Sequence, residues 1–121
     1  AGHVIVGDWA ILGGGTLAHQ LVRVGEHSMT SMGSGLYQDL PPYVMAAGSP
    51  AVPRSINSEG LKRRGFSQDA IAEIKRAYKA LYRMKMSLDD ARTAISEKQS
   101  VCQELRPLVE FLSISGRGLI R

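Results

Sequence analysis

The chain has little cysteine, no long apolar run and few acidic residues where its basic residues gather. Its 121 residues include one cysteine, Cys102, so no intrachain disulfide can form. A single thiol fits a reducing compartment, and a cytoplasmic location is expected. Cys102 makes a poor nucleophile, because no histidine follows it and it falls in a helical tail. No apolar run approaches the roughly 20 residues of a membrane-spanning helix. Between Gly60 and Lys85 stand Lys62, Arg63, Arg64, Lys75, Arg76, Lys79, Arg83 and Lys85, opposed only by Asp69 and Glu73. The net charge of +4 is therefore unevenly placed. Such a cluster suits an acidic partner, whether phosphate, nucleic acid, anionic lipid or an acidic protein, unless it is only a solvated helix face.

What the sequence does have is a period of six. Val6, Leu12, Ala18, Val24, Thr30 and Leu36 share one phase, and Val4, Ala10, Thr16, Val22, Ser28 and Ser34 stand two positions before them. A fixed period marks a repeat architecture, and a period of six predicts a left-handed parallel β-helix. Each unit lays one short strand on a face of a triangular prism, and three units close a coil. Marker residues point inward, where Val, Leu, Ala and Thr fit. Glycine follows three markers, at Gly7, Gly13 and Gly25, and is expected to ease corners that need a positive φ. His19 takes the place of such a glycine. Because two coils bury little and residue 1 is already inside the repeat, further coils are expected upstream.

The period breaks over D39-L-P-P-Y-V-M-A-A-G-S-P50, where prolines are expected to end the solenoid and turn the chain outward. The end of the β-helix is thus assigned to residues 1–53 and a small α-helical domain to 54–121. Asn57 to Arg64 predicts a short helix stopped by Gly65. Ser67 offers an N-cap to a second helix that buries Ile71, Ile74, Tyr78, Leu81 and Tyr82. Ser87 with Asp90 opens a third helix with Leu88, Ala91 and Ile95 as its apolar stripe. A last helix runs from about Gln103 to Ser113, with Pro107 in its first turn.

Three segments carry a resemblance: A-G-H-V at the start, His19-Gln20 in the second coil and N-S-E-G-L-K-R-R-G-F (57–66) after the solenoid. With D-L-P-P-Y-V and the closing R-G-L-I-R, the chain resembles the C-terminal part of the UDP-N-acetylglucosamine acyltransferases that begin lipid A biosynthesis. The resemblance covers essentially all of it. It implies transfer of a 3-hydroxyacyl group from acyl carrier protein to the 3-hydroxyl of the UDP-sugar, by a homotrimer, with neither cofactor nor metal. A hydroxyl is a weak nucleophile, so a general base must take its proton, and preorganised donors must meet the oxyanion. The resemblance places that base upstream of residue 1, so the 121-residue chain alone is expected to be inactive. It matches the backbone N–H of Gly2 to the oxyanion donor, His3 to a substrate-contacting histidine, and His19 and Gln20 to the pair that meets the sugar and pyrophosphate. Asn57, Glu59, Arg63 and Arg64 match the nucleotide-contacting set. Asn and Glu can read uridine and ribose, and arginine offers a fork to a diphosphate. His27 has no such match and reads as structural.

Met32 stands where the resemblance implies a ruler for acyl length, glycine there permitting a long chain. The bulk of Met32 implies a decanoyl-like or lauroyl-like donor, unless the residue is packing filler. The basic cluster fits docking of acidic acyl carrier protein. Alternatives are a sibling hexapeptide acyltransferase and a non-catalytic trimeric β-helix that binds or scaffolds. Nucleic-acid binding fits poorly, since Tyr78 and Tyr82 fall on the apolar face of their helix.

Overall fold

A computed structural model describes residues 2–114, 116 and 118–121. Ala1 and Arg117, in the opening and closing motifs, and Ser115 lie outside the described residues. Six two-residue strands follow the repeat: β1 (Ile5–Val6), β2 (Ile11–Leu12), β3 (Leu17–Ala18), β4 (Arg23–Val24), β5 (Met29–Thr30) and β6 (Gly35–Leu36). They pair in parallel as Ile5↔Arg23, Ile11↔Met29 and Leu17↔Gly35. The constant offset of eighteen residues is three six-residue units, so the chain winds as a three-faced parallel solenoid.

Both inward phases are buried in the second coil: Val22, Val24, Ser28, Thr30, Ser34 and Leu36. Val6, one rung away from Val24, is 49% exposed against 2%. Small polar side chains are tolerated inside because their hydroxyls are satisfied. Ser28 Oγ donates to the Gly25 carbonyl at 2.6 Å, Ser34 Oγ to that of Ser31 at 2.8 Å, and Thr16 and Thr30 share a bond of 2.9 Å.

The glycines after the markers serve another purpose than the expected one. Positive φ recurs every six residues, but at His3, Trp9, Gly15, Leu21, His27 and Gly33. Gly7, Gly13 and Gly25 are required by close approach instead. A Cβ on Gly7 would lie 2.6 Å from the Glu26 nitrogen, on Gly13 2.6 Å from that of Met32, and on Gly25 2.2 Å from that of Pro42. Each rung leans on the next one at these points.

The prolines do not turn the chain out at residue 39. A third, shorter rung follows, with β7 (Val44–Ala47) pairing in parallel with β5 as Met29↔Met45. This offset is two residues less than before. Pro42 seats on Gly25, and Tyr43 takes the left-handed conformation (φ 72°) that His27 holds in the preceding coil. β8 (Val52–Ile56) then returns antiparallel to β7. Pro53 is accommodated there because β8 is an edge strand. The strand crosses the expected 53/54 boundary, and helix begins only after Asn57.

The helices are α1 (Ser58–Arg63), α2 (Gln68–Tyr82), α3 (Leu88–Lys98) and α4 (Arg106–Ser113), the last preceded by a 3-10 turn at Gln103–Leu105 rather than one continuous helix. Ser67 and Ser87 cap α2 and α3 through the Ala70 and Asp90 N–H groups, at 3.0 and 3.1 Å. α2 buries Ala70, Ile74, Ala77, Tyr78, Ala80 and Leu81, while Ile71 and Tyr82 are only half-buried. Its inner face is therefore flatter and more alanine-rich than its large apolar residues predict. The core is continuous from Val24 and Leu40 through Leu61 and Ile74 to Leu105 and Leu108.

Two polar clamps fasten helix to solenoid. Tyr43 Oη donates to the Glu104 carbonyl at 2.5 Å. Asp39, fully buried, accepts from the Arg23 backbone N–H at 2.8 Å and from its Nε at 3.0 Å. Arg23 Nη1 and Nη2 donate onward to the carbonyls of Phe111 and Ile114, at 3.1 and 2.9 Å. Its guanidinium also lies 4.1 Å from the Phe111 ring centre.

Candidate functional site

The three corners of the solenoid carry three separate groups of candidate residues. At the first, Gly2 and His3 stand one rung from Gln20 and Leu21, with the Leu21 N–H donating to the Gly2 carbonyl at 3.2 Å. Gly2, His3, His19 and Gln20 are all exposed. His19 packs on Tyr37, eighteen residues on, with ring centres 5.1 Å apart. Leu17, Ala18, His19, Gln20 and Tyr37 line a cleft of about 320 Å³. A Cβ on Gly2 would meet nothing within 4 Å among the described residues, so packing does not dictate glycine there.

The second corner holds Trp9, His27 and Tyr43, and α1 docks over it. Asn57 is 7% exposed, and its carboxamide is committed at both ends. Oδ1 accepts from the Gly60 N–H at 3.3 Å, capping α1, and Nδ2 donates to the His27 carbonyl at 3.1 Å. Gly60 is glycine because a Cβ there would come within 2.5 Å of that carboxamide. The spacing of Asn57 and Gly60 is thus a local packing unit that fixes the helix to the corner. Trp9, Ala10, Ile11, His27, Asn57, Gly60, Arg63 and Arg64 line a cleft of about 210 Å³. The Arg64 guanidinium carbon lies 3.4 Å from the centre of the Trp9 ring. Glu59 is not among the lining residues; its side chain is 79% exposed and pairs with Lys62 at 3.7 Å.

His27 is buried between Tyr43, stacked at 5.9 Å, and Phe66, edge-on at 5.1 Å. Burial lowers its pKa below the ordinary histidine value, and the nearby Arg64 charge lowers it further, opposed in part by Asp8. A neutral ring that packs against two aromatics agrees with the structural reading of this residue. Beside it, burial and then the Asp8 and Glu110 charges raise the Glu26 carboxyl. The Cys102 thiol is buried and its pKa raised, burial being the main cause.

Met32 stands at the third corner, 83% exposed, over the tight approach of Gly13. One chain therefore brings Gly2, His3, His19 and Gln20 together, and separately Asn57, Arg63 and Arg64, but it does not join these groups to each other or to Met32. A larger hollow lies elsewhere, between α3 and α4, and another of similar size to these clefts lies between α2 and α3; neither contains any of these residues. Sequence reasoning missed Trp9 and Tyr37. The signal was the eighteen-residue register, which puts Trp9 at the same corner as His27, one rung away, and packs His19 on Tyr37. The docking of α1 on the Trp9 corner depends on the β7–β8 return and has no periodic signature.

Residues 39–120 match the family model described as UDP-N-acetylglucosamine O-acyltransferase, domain 2. The chain belongs to this family. It is 50% identical over its whole length to the acyl-(acyl-carrier-protein)–UDP-N-acetylglucosamine O-acyltransferase of Thiobacillus denitrificans, of which it covers 47%. The Janthinobacterium relative of the same name is also 50% identical, with 48% covered. Among solved structures, the UDP-N-acetylglucosamine O-acyltransferase of Moraxella catarrhalis superposes with a TM-score of 0.96 at 33% identity, all of this chain matching 47% of that one. The Francisella novicida UDP-N-acetylglucosamine acyltransferase gives 0.96 at 38% identity, with 45% of it covered. The chain thus spans about half the length of the relatives it matches.

The family match favours the acyltransferase reading over a sibling hexapeptide enzyme. Among the described residues no three His, Cys, Asp or Glu side chains are grouped to hold a metal ion, and no helix is long and apolar enough to cross a membrane. Tyr78 is buried and Tyr82 half-buried against it, with ring centres 5.2 Å apart, so neither is presented to stack on a base. Lys62, Lys75, Lys79, Arg83 and Lys85 are exposed.

Proposed function

We propose that this chain is the nucleotide-binding, C-terminal portion of a cytoplasmic enzyme that transfers a 3-hydroxyacyl group from acyl carrier protein to the 3-hydroxyl of UDP-N-acetylglucosamine, the first step of lipid A assembly. The observation that carries the reading is the cleft of the second corner, where Asn57, Arg63 and Arg64 converge inside the segment matched by the family model. The two arginines supply forked donors for the diphosphate. The second N–H of the Asn57 carboxamide and the exposed Glu59 carboxylate read uridine and ribose.

In the reaction the sugar hydroxyl oxygen attacks the thioester carbonyl as a general base takes its proton. The tetrahedral intermediate then collapses, and the thiolate of the carrier leaves and is protonated. The Gly2 N–H serves as oxyanion donor, and the bare glycine leaves room for the carbonyl to approach. His3, His19 and Gln20 orient the sugar and pyrophosphate, and coils preceding residue 1 supply the base. Since the sugar corner and the nucleotide corner are distinct within one chain, neighbouring copies in a homotrimer complete the site between them. The six-residue unit supports a left-handed coil for the solenoid, with the helical part that follows β8 closing it. Met32 limits the acyl chain to about decanoyl or lauroyl length, and the exposed basic face of α2 docks the acidic carrier.

Acyl transfer by the full-length protein, followed by mass spectrometry with 3-hydroxyacyl carrier proteins of different chain length, tests the reading. The expected product is the 3-O-acyl UDP-sugar, formed fastest from a ten- or twelve-carbon donor, and Met32→Gly shifts preference to longer chains. Absence of turnover, as for a scaffold, defeats the functional reading; a preference for 3-hydroxymyristoyl defeats the ruler alone. The 121-residue chain by itself is expected to give no product.

A further inference from the structure

The Trp9 side chain is not one of the inward-facing ones of the repeat. The inward positions of its unit are Ala10 and Leu12, and Trp9 itself stands at a left-handed corner (φ 61°) of the kind filled by glycine at 15 and 33. That conformation costs energy for a bulky side chain, and Trp9 is 56% exposed, so burial offsets little of it. Its observed contact is with Arg64, whose guanidinium lies directly over the ring.

The way Arg64 is held differs from that of Arg23, the other arginine seen over an aromatic ring among the described residues: Arg23 lies over Phe111 and also pairs with Asp39, and Arg76, Arg92 and Arg106 pair with Glu73, Asp89 and Glu110. Among the described residues no carboxylate pairs with Arg64. A carboxylate that positions an arginine also neutralises it and occupies its donor edge. An aromatic face positions the guanidinium through its π surface and leaves charge and N–H edges for another anion. Here those edges belong to the cleft that also contains Arg63 and Asn57.

We propose that Trp9 is a positioning residue for nucleotide binding: it holds Arg64 by its face, so that an unneutralised guanidinium is presented to the diphosphate of a nucleoside diphosphate sugar. The proposal rests on the nucleotide reading of this cleft.

The test compares wild type, Trp9→Phe and Trp9→Leu in the full-length protein, by calorimetric titration with UDP and by steady-state kinetics with UDP-N-acetylglucosamine. Trp9→Leu keeps apolar bulk but removes the ring face. It is expected to weaken UDP binding and raise KM for the UDP-sugar about tenfold, the size of one cation–π contact, with kcat changed less than about twofold. Trp9→Phe recovers most of the loss, and Trp9→Leu adds nothing once Arg64→Ala is present. Emission from Trp9, taken as the difference between wild type and Trp9→Phe, is expected to change on saturation with UDP, a readout that survives if Trp9→Leu fails to fold. Unchanged constants in Trp9→Leu, equal impairment of both variants, additivity with Arg64→Ala or unchanged emission each overturn the proposal. If wild type binds no UDP, the nucleotide reading fails first; if it binds and Trp9→Leu binds equally well, only the role of Trp9 fails.

Discussion

Asn57 shows how one side chain can serve the fold and also line a candidate site. Its carboxamide caps α1 and ties that helix to the His27 corner, so replacing it removes two hydrogen bonds from a buried position. Asn57→Ala is expected to destabilise the protein by about 2 kcal/mol, measured by denaturant unfolding, and to weaken UDP binding at the same time. The segment from Asn57 to Arg64 stands out in the sequence through the family resemblance, while the capping role of Asn57 inside it does not: the sequence pattern does not distinguish a capping carboxamide from a ligand. His27 gives a pH signature. Its folded pKa lies below the unfolded value of about 6.5, because burial and Arg64 disfavour the imidazolium. The unfolded chain therefore binds the proton first, and stability present above 6.5 is lost as pH falls from there through the folded pKa. The Glu26 carboxyl, raised above 4.5 by burial and by Asp8 and Glu110, has the opposite slope, its contribution being lost as pH rises from 4.5 through its folded pKa. Thermal midpoints measured downward from pH 7 are expected to fall, and His27→Gln to flatten that fall; an identical slope in the variant would contradict this assignment.

Among the elements, the solenoid was the most legible part, because a six-residue period imposes both the strand spacing and the eighteen-residue register. The corners were less so. Glycine after a marker suggests a turn conformation, but in the folded chain Gly7, Gly13 and Gly25 make room for the next rung, and positive φ falls two residues later on His, Trp and Leu as well as glycine. The two roles look alike in sequence and separate under substitution. Gly25→Ala drives a Cβ into the backbone at Pro42 and is expected to cost at least about 3 kcal/mol. Gly14→Ala, with nothing within 4 Å of its new Cβ, is expected to stay within about 0.5 kcal/mol of wild type or to stabilise slightly. The shortened third rung was also hidden, since its two-residue deficit removes the period while the parallel pairing continues through Met29↔Met45. Farther along, the Arg23–Asp39 clamp links positions sixteen residues apart in the solenoid to the end of α4. Arg23→Met leaves the Asp39 carboxylate buried and unpaired, an expected loss of about 3–5 kcal/mol, visible as a lower midpoint in urea.

For the whole molecule, the buried core runs without a break from coils to helices, so the helical part and the solenoid are expected to unfold together. The candidate residues occupy three corners, a spread that fits the proposed site shared between copies. Basic side chains line the exposed side of α2, and if they steer an acidic carrier, kcat/KM for the carrier-bound donor falls as salt is added. Charge reversal at Lys75, Lys79 and Arg83 is expected to flatten that dependence while leaving KM for the UDP-sugar unchanged. The most direct measurement of the central claim is calorimetric titration of the full-length protein with UDP. A single class of site is expected, weakened about ten- to hundredfold by Arg64→Ala, as the loss of a charged hydrogen bond to phosphate predicts. Binding that is absent, or that is indifferent to Arg64, would contradict it.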